Sequence, residues 1–227
     1  MSNLEKTPSF FFLWIILFIT TIPLTTFIFG EKITIKGLDI KYNEALETMT
    51  VSGNANLNHP DYSDSRPPLS YILHILFNPF TDNVEAFRIS TFAISLLVPV
   101  LLFFSIKEKF KKLNNGTIIL ISSVVTLSPY FRTTAYWSLG ENYAIIFLLL
   151  SYLIFSKLKK NLKIYDKNKL NYIIFILCFI SSLIVYFDQK LVFIPLVILC
   201  FIAKLEIEKK YKFFALITFF RSLHLKK

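Results

Sequence analysis

Long apolar runs separated by short polar segments dominate this chain. The first run covers residues 10–29 and contains no charged residue. As a helix rising about 1.5 Å per residue it would be about 30 Å long, which matches the hydrocarbon core of a bilayer. The run is too long for the apolar region of a secretory signal peptide, and no convincing small-residue cleavage site follows it. The pattern therefore predicts a retained membrane span.

Later apolar runs predict the rest of a helical bundle. Further spans are expected at residues 86–106, 117–130, 142–155, 171–186 and 191–203. A shorter run at 213–220 predicts a partial seventh span within 213–227, as in a chain truncated there. The predicted fold is all-α, a polytopic transmembrane helical bundle of about six to seven spans. It forms one membrane domain over residues 1–227, with spans two to six in 86–203.

A long polar loop, residues 30–85, separates the first two spans. Its apolar run at 69–80 is about 18 Å long as a helix and carries His74 and Asn78, so it is expected to lie at the membrane surface. Earlier in the loop, Tyr42, Leu46 and Met49 recur at helical spacing. They predict a second short helix on that surface.

The net charge of +10 comes mainly from lysine blocks between the apolar runs. Basic residues concentrate in cytoplasmic loops of membrane proteins, so the blocks predict which ends of the spans face inside. This topology places the long loop on the outer face and explains the charge without nucleic-acid binding. The blocks are Lys107, Lys109, Lys111 and Lys112; Lys157, Lys159, Lys160, Lys163, Lys167 and Lys169; and Lys204, Lys209, Lys210 and Lys212.

No soluble catalytic motif accompanies this topology. Cys178 and Cys200 lie inside apolar runs without metal-ligand spacing, and the chain has no Gly-rich phosphate loop or Ser-centred elbow. His59, Asp61 and Asp64 are residue types that bind metals, but they lie in a turn-rich segment. A solvated loop is favoured there, the alternative being that these residues shape the acceptor site, and no metal site is predicted.

The polar residues expected at the outer face are the candidate functional residues. Each could instead have a purely structural role. Asp39 can cap a helix, Arg66 can anchor to lipid headgroups, and Glu141 can stabilise a helix N-terminus. Asp188 and Lys190 can simply neutralise each other. Because the outer turns 132–141 and 188–190 are short, their charges should lie close together at the membrane surface.

The order of several short segments resembles that of the GT-C class of membrane glycosyltransferases. The segments are RPPLSYILHILF at 66–77, EAFR at 85–88, SPYFR at 128–132 and an acid at Glu141. The most similar branch is that of the protein mannosyltransferases and lipid A aminoarabinose transferases. The resemblance extends from about residue 10 to residue 203 and covers the N-terminal conserved module of such enzymes.

The resemblance implies roles for individual residues. Asp39 matches the family's catalytic base by position, but Ile40 follows where a second acid is common, so Asp39 and Glu44 both stay candidates. Arg66, Arg132 and Lys190 match basic positions that contact the carrier phosphate, while Arg88 matches a structural or headgroup-directed arginine. The residues left as substrate-site candidates are Tyr42, Asp61, Asp64, Glu141 and Asp188.

The implied activity is transfer of a sugar from a polyprenyl-phosphate carrier, with inversion, to an envelope glycolipid, polysaccharide or protein. No metal or other cofactor is implied. The expected location is a bacterial inner membrane, with the first loop on the periplasmic face. Two alternatives remain, a non-enzymatic membrane protein such as a lipid-linked sugar transporter or scaffold, and an inactive fragment of such an enzyme.

The predicted topology can be tested by labelling single cysteines from outside intact cells. In a background with Cys178 and Cys200 replaced by Ser, Ser52→Cys is expected to react with an impermeant maleimide, whereas Asn161→Cys should react only after permeabilisation. Labelling with the opposite sidedness would exclude the glycosyltransferase hypothesis, because its chemistry requires the first loop outside.

Overall fold

A computed structural model describes Thr50 and residues 68–80, 83–136 and 140–223. The predicted span at 10–29 and the surface helix with Tyr42 lie outside the described residues. The same is true of the site candidates Asp39, Glu44, Asp61, Asp64 and Arg66. Throughout the described ranges the regular elements are helical, which confirms the all-α class for this part of the chain.

Nine α-helices and two short 3₁₀ segments make up the described part. The 3₁₀ segments are Val125–Leu127 and Gln189–Leu191. The α-helices are α1 (Leu69–Phe77), α2 (Val84–Ser95), α3 (Leu97–Lys109), α4 (Asn115–Val124), α5 (Pro129–Tyr136), α6 (Glu141–Lys160), α7 (Lys167–Phe187), α8 (Phe193–Ala203) and α9 (Lys209–Leu223).

Three described helices are long and apolar enough to cross a membrane. They are Ala86–Lys109, which joins α2 and α3, together with α6 and α7. They coincide with the predicted spans at 86–106, 142–155 and 171–186. The shorter apolar helices Asn115–Leu127 and Gln189–Ala203 stand where spans three and six were predicted. The full count of six to seven spans stays a prediction.

Prolines explain where two elements end. Asn78 precedes Pro79 and has extended backbone angles, so α1 stops at Phe77 rather than continuing to residue 80. Ser128 precedes Pro129 and is also extended. The clash between a proline ring and the preceding residue disfavours helical angles in both cases. The apolar helix at span three therefore ends at Leu127, and Tyr130 belongs to the next helix, α5.

Helix α7 is the centre of the packing. Helices α1, α6, α8 and α9 all contact it. Ile174, Leu177 and Ile184 are fully buried, and the hydroxyls of Ser181 and Ser182 donate to the Cys178 carbonyl. Many large apolar side chains on the outside of the bundle are exposed, including Phe175. Such extensive apolar surface is unusual for a soluble monomer and suits contact with lipid.

The three lysine blocks lie at one end of the bundle, here called the lysine end. Lys160 at the end of α6 lies 3.8 Å from a carboxylate oxygen of Glu108 on α3. Lys210 and, more weakly, Lys167 hold the pKa of Glu208 below its usual range. The first contact brings the end of α3 beside the end of α6, and the second brings the start of α9 near the start of α7, as the predicted sidedness requires.

Helix α9 stands where a partial span was predicted within 213–227, but it begins four residues earlier, at Lys209. It buries Tyr211, Ala215, Phe219 and Ser222 along one stripe. The Tyr186 hydroxyl donates to the Ser222 carbonyl at 2.8 Å. Helix α9 therefore runs beside α7 from the lysine end to the last turn of α7. Residues 224–227 lie outside the described part.

Gly140 fixes the register between α6 and α7 at the opposite end. A Cβ atom at this position would lie 2.7 Å from the Phe187 carbonyl oxygen. The backbone angles of Gly140, φ −64° and ψ −19°, are ones that any residue adopts. Glycine is thus required for the close approach to α7 and not for its conformational freedom.

We expect Gly140→Ala to destabilise the protein by about 1–3 kcal/mol, because the added methyl group would overlap a backbone oxygen that cannot move independently. The midpoint of thermal unfolding in detergent micelles measures this effect. Gly116→Ala is the matched control: its Cβ would lie 3.5 Å from the Asn114 side-chain oxygen, so it should leave the midpoint unchanged or raise it. Equal midpoints for the two variants would contradict the packing role of Gly140.

Candidate functional site

The predicted outer turns lie at the end of the bundle opposite the lysine end. This opposite end is here called the polar end. Gly140 at the start of α6 touches Phe187 at the end of α7. Partial desolvation, together with the negative charges of Glu141 and Asp188, raises the pKa of the Tyr130 phenol. Carboxylates from both turns therefore act electrostatically on one side chain of α5. The turns at 132–141 and 188–190 are thus neighbours in space.

The predicted site residues at this end differ in accessibility. Arg132 is 2% exposed and Arg88 is 5% exposed, whereas Lys190 is exposed and Glu141 and Asp188 are half-buried. Both guanidinium groups therefore lie inside the bundle. Of these three cations, Lys190 is the one whose side chain is exposed at the surface.

Asp188 and Lys190 do not neutralise each other through their side chains. The Asp188 carboxylate accepts a hydrogen bond from the Lys190 backbone N–H at 3.0 Å and thereby caps the 3₁₀ segment Gln189–Leu191. The ion pairs within the described residues are Lys160–Glu108 and Lys210–Glu208. The Lys190 ammonium group therefore remains available at the polar end.

A buried polar cluster, here called the histidine cluster, links three helices at the polar end. It consists of His74 on α1, Asn78 just after α1, Ser90 on α2 and Tyr143 on α6. Asn78 Nδ2 lies 2.8 Å from Ser90 Oγ and 3.2 Å from His74 Nδ1. His74 Nε2 lies 3.1 Å from the Tyr143 hydroxyl. The His74 ring also contacts the rings of Phe87 and Tyr143.

The hydrogen bonds of the histidine cluster assign the His74 tautomer. The Phe80 backbone N–H donates to Asn78 Oδ1 at 3.0 Å, so the Asn78 amide nitrogen faces the cluster. Ser90 donates its own proton to the Phe87 carbonyl and accepts from Asn78. Asn78 therefore donates to His74 Nδ1, and His74 must carry its proton on Nε2 and donate to Tyr143. His74 is neutral in this arrangement.

A second buried cluster, here called the asparagine junction, holds α5 between α2 and α6. Asn142 is fully buried. Its amide nitrogen donates to Ser95 Oγ at 3.3 Å and to the Phe131 carbonyl at 3.1 Å, and its amide oxygen accepts from Thr134 at 2.9 Å. The amide uses both protons and its oxygen, so the junction is satisfied and rigid. It positions Arg132, the residue that follows Phe131.

Sequence reasoning named His74 and Asn78 only as polar residues that argue against a membrane span. Their spacing of four residues places both on one helical face, and this was the available signal of a shared role. Tyr143 and Ser90 had no such signal, because each lies far along the chain from His74. Arg132, Glu141, Asp188 and Lys190 were also candidates from the sequence, and they lie at this end, while their roles stay predictions.

Among the described residues, no group of three His, Cys, Asp or Glu side chains is placed to hold a metal ion. Comparisons with protein-family models, with curated proteins and with solved structures find no match. The residues of the polar end and the chemistry that they permit are therefore the basis for assigning a function.

Burial lowers the pKa of His74 from 6.5 to about 4. The unfolded chain binds this proton below pH 6.5 while the folded chain does not, so stability should be complete above pH 6.5 and decrease as the pH falls towards 4. The loss should be on the order of 3 kcal/mol. Unfolding midpoints in detergent across this pH range measure it.

His74→Gln is the control for this titration, because it removes the group and retains a polar side chain. Its stability should depend less on pH between 4 and 6.5 than that of the parent, while carboxylates and the other two histidines titrate in both proteins. Parallel pH profiles would show that His74 does not remain neutral on folding.

Proposed function

We propose that this protein is an integral membrane glycosyltransferase of GT-C type. It moves a sugar from a polyprenyl-phosphate carrier to an acceptor hydroxyl on an envelope glycolipid, polysaccharide or protein. In this proposal the chain forms a bundle of six to seven spans in a bacterial inner membrane. The polar end faces outward, on the same side as the loop at 30–85.

The proposal is supported mainly by one observation: exposed and buried cations lie together with carboxylates at the polar end. Tyr130 senses both Glu141 and Asp188, Lys190 is exposed beside them, and Arg132 is buried in the same region. A phosphate-linked donor needs positive charge where the leaving phosphate becomes more negative, and preorganised cations provide it. The lysine end cannot serve the same purpose if its blocks face the cytoplasm.

In the proposed reaction, Asp39 or Glu44 accepts the proton of the acceptor hydroxyl. The acceptor oxygen attacks the anomeric carbon and forms the new glycosidic bond. The bond from that carbon to the phosphate oxygen breaks with inversion, and the electron pair leaves with the polyprenyl phosphate. Lys190 and Arg66 contact the departing phosphate, and buried Arg132 adds positive potential behind them.

The positions of the charges favour an enzyme over a lipid-linked sugar transporter. In the three longest apolar helices, the ionisable acids and bases lie close to the ends, as Arg88, Lys157 and Lys169 illustrate. Transporters commonly carry such residues near the middle of the membrane, where substrate and ions bind. The central turns of α6 and α7 are apolar or carry serines.

The proposed base can be identified by transfer assays in membranes supplied with a radiolabelled polyprenyl-phosphate sugar. Asp39→Asn or Glu44→Gln should lower the transfer rate by about 100-fold or more, because the amide cannot accept the proton. Only one of these two acids is the base. The variant that replaces the other acid should therefore transfer sugar at a rate close to that of the parent. If both variants transfer sugar as fast as the parent, the first-loop base assignment is wrong.

The phosphate contacts are tested in the same assay. Lys190→Ala and Arg66→Ala should each reduce donor use by about tenfold or more, since a charge-assisted hydrogen bond contributes about 1.5–3 kcal/mol. Lys163→Ala is the matched control, because it removes one exposed lysine at the opposite end of the bundle. Arg132→Lys retains the buried charge and should be less impaired than Arg132→Ala.

Equal loss in the Lys163 and Lys190 variants would indicate a general charge effect and contradict the assigned contact. Undiminished donor use by both Lys190→Ala and Arg66→Ala would remove the phosphate site from the polar end.

A further inference from the structure

A groove lies between α6 and α8 and reaches the lysine end, and is here called the α6–α8 groove. It encloses about 840 Å³, which falls within the range of about 300–1,000 Å³ typical of ligand sites. Helices α6 and α8 both pack on α7, which spaces them apart and forms the groove. Its walls run from Leu148 to Lys159 on α6 and from Leu191 to Leu205 on the other side.

The interior of the groove is chiefly apolar. Leu148, Phe155, Val197 and Phe201 line it, and the rings of Phe155 and Phe201 stack with their centroids 5.6 Å apart. Ser151 is a polar exception. It is fully buried, and its hydroxyl has no hydrogen-bond partner in the part of the chain that the structure describes.

Two lysines line the groove where it reaches the lysine end. Lys159 and Lys204 are both exposed. The ion pairs among the described residues involve Lys160 and Lys210 instead, so neither Lys159 nor Lys204 is neutralised by a described carboxylate. An apolar groove that ends at two such cations is complementary to an amphiphile with an anionic head.

The α6 wall of the groove matches one leaflet of a bilayer in length. The eleven-residue step from Leu148 to Lys159 corresponds to a rise of about 16 Å along α6. The hydrocarbon core of a bilayer is about 30 Å thick, so one leaflet contributes about half of this length. A lipid whose phosphate lies at the lysines would therefore place its hydrocarbon chain along Phe155 and Leu148.

We propose that the α6–α8 groove binds one anionic phospholipid from the leaflet at the lysine end. Its phosphate pairs with Lys159 and Lys204, and one of its acyl chains occupies the apolar interior. A lipid is the chosen occupant because the groove combines an apolar interior with two cations at one end. The inference requires a membrane location, but it does not require glycosyl transfer.

The test uses the full-length chain in nonionic detergent, titrated with phosphatidylglycerol and followed by native mass spectrometry. The parent is expected to retain one phosphatidylglycerol molecule and to bind zwitterionic phosphatidylcholine at least tenfold more weakly. The double variant Lys159→Gln with Lys204→Gln should bind phosphatidylglycerol at least tenfold more weakly than the parent. Its control is Lys111→Gln with Lys112→Gln, which removes the same charge from exposed positions elsewhere at this end.

A steric variant tests the groove without altering its charge. Val197 is 43% exposed and Leu120, on α4 outside the groove, is 55% exposed, so tryptophan can be introduced at either position without disturbing buried packing. Val197→Trp should lose the bound lipid, whereas Leu120→Trp should keep it. The proposal is overturned if both lysine double variants bind equally, if Val197→Trp retains the lipid, or if inorganic phosphate displaces it.

Discussion

The antiparallel packing of α6 on α7 is the constraint on which both ends of the bundle depend. The two helices have nearly the same length, 20 and 21 residues. A short turn joins them at the lysine end, and Gly140 contacts the Phe187 carbonyl at the polar end. A shift of one helix along the other would open this contact and separate Glu141 from Asp188. The register of this pair therefore determines which polar residues meet.

Two kinds of polar chemistry coexist at the polar end. The histidine cluster and the asparagine junction consist of neutral groups that are hydrogen-bonded and, apart from half-buried Ser90, buried, and they attach α1, α2 and α5 to α6. Such clusters stabilise one arrangement of the helices, because an unpaired polar group would be costly in an apolar surrounding. The charged side chains of Glu141, Asp188 and Lys190 remain at least partly accessible. The neutral clusters provide the rigid support, and the accessible charges are the groups that a ligand at this end could reach.

The two ends of the bundle suit different ligands. At the polar end, cations lie beside carboxylates that can orient or repel a reacting group, which supports the proposed sugar transfer. At the lysine end, Lys159 and Lys204 adjoin an apolar groove and face no described acidic partner, which suits a lipid that stays bound. Because the two proposed sites share no residue, each can be altered without the other.

The sequence by itself determined the features that depend on local hydropathy and backbone chemistry. It predicted the all-helical class, the positions of the three longest apolar helices, the lysine blocks and the short outer turns that bring Glu141 near Asp188. It did not predict the end of span three at Leu127, although Pro129 was a local signal for it. Asp39, Glu44 and Arg66 belong to the part of the proposed site known only from sequence.

Only the tertiary structure decided how the helices are rotated against one another. The contact between His74 and Tyr143 joins residues 69 positions apart, and the burial of Arg132 depends on how α5 docks against α2 and α6. Likewise, the approach of Gly140 to Phe187 and the groove between α6 and α8 require the relative placement of separate helices. An apolar run shows that a segment is a helix suited to lipid. It does not show which face meets which neighbour, because nearly every face of such a helix is apolar.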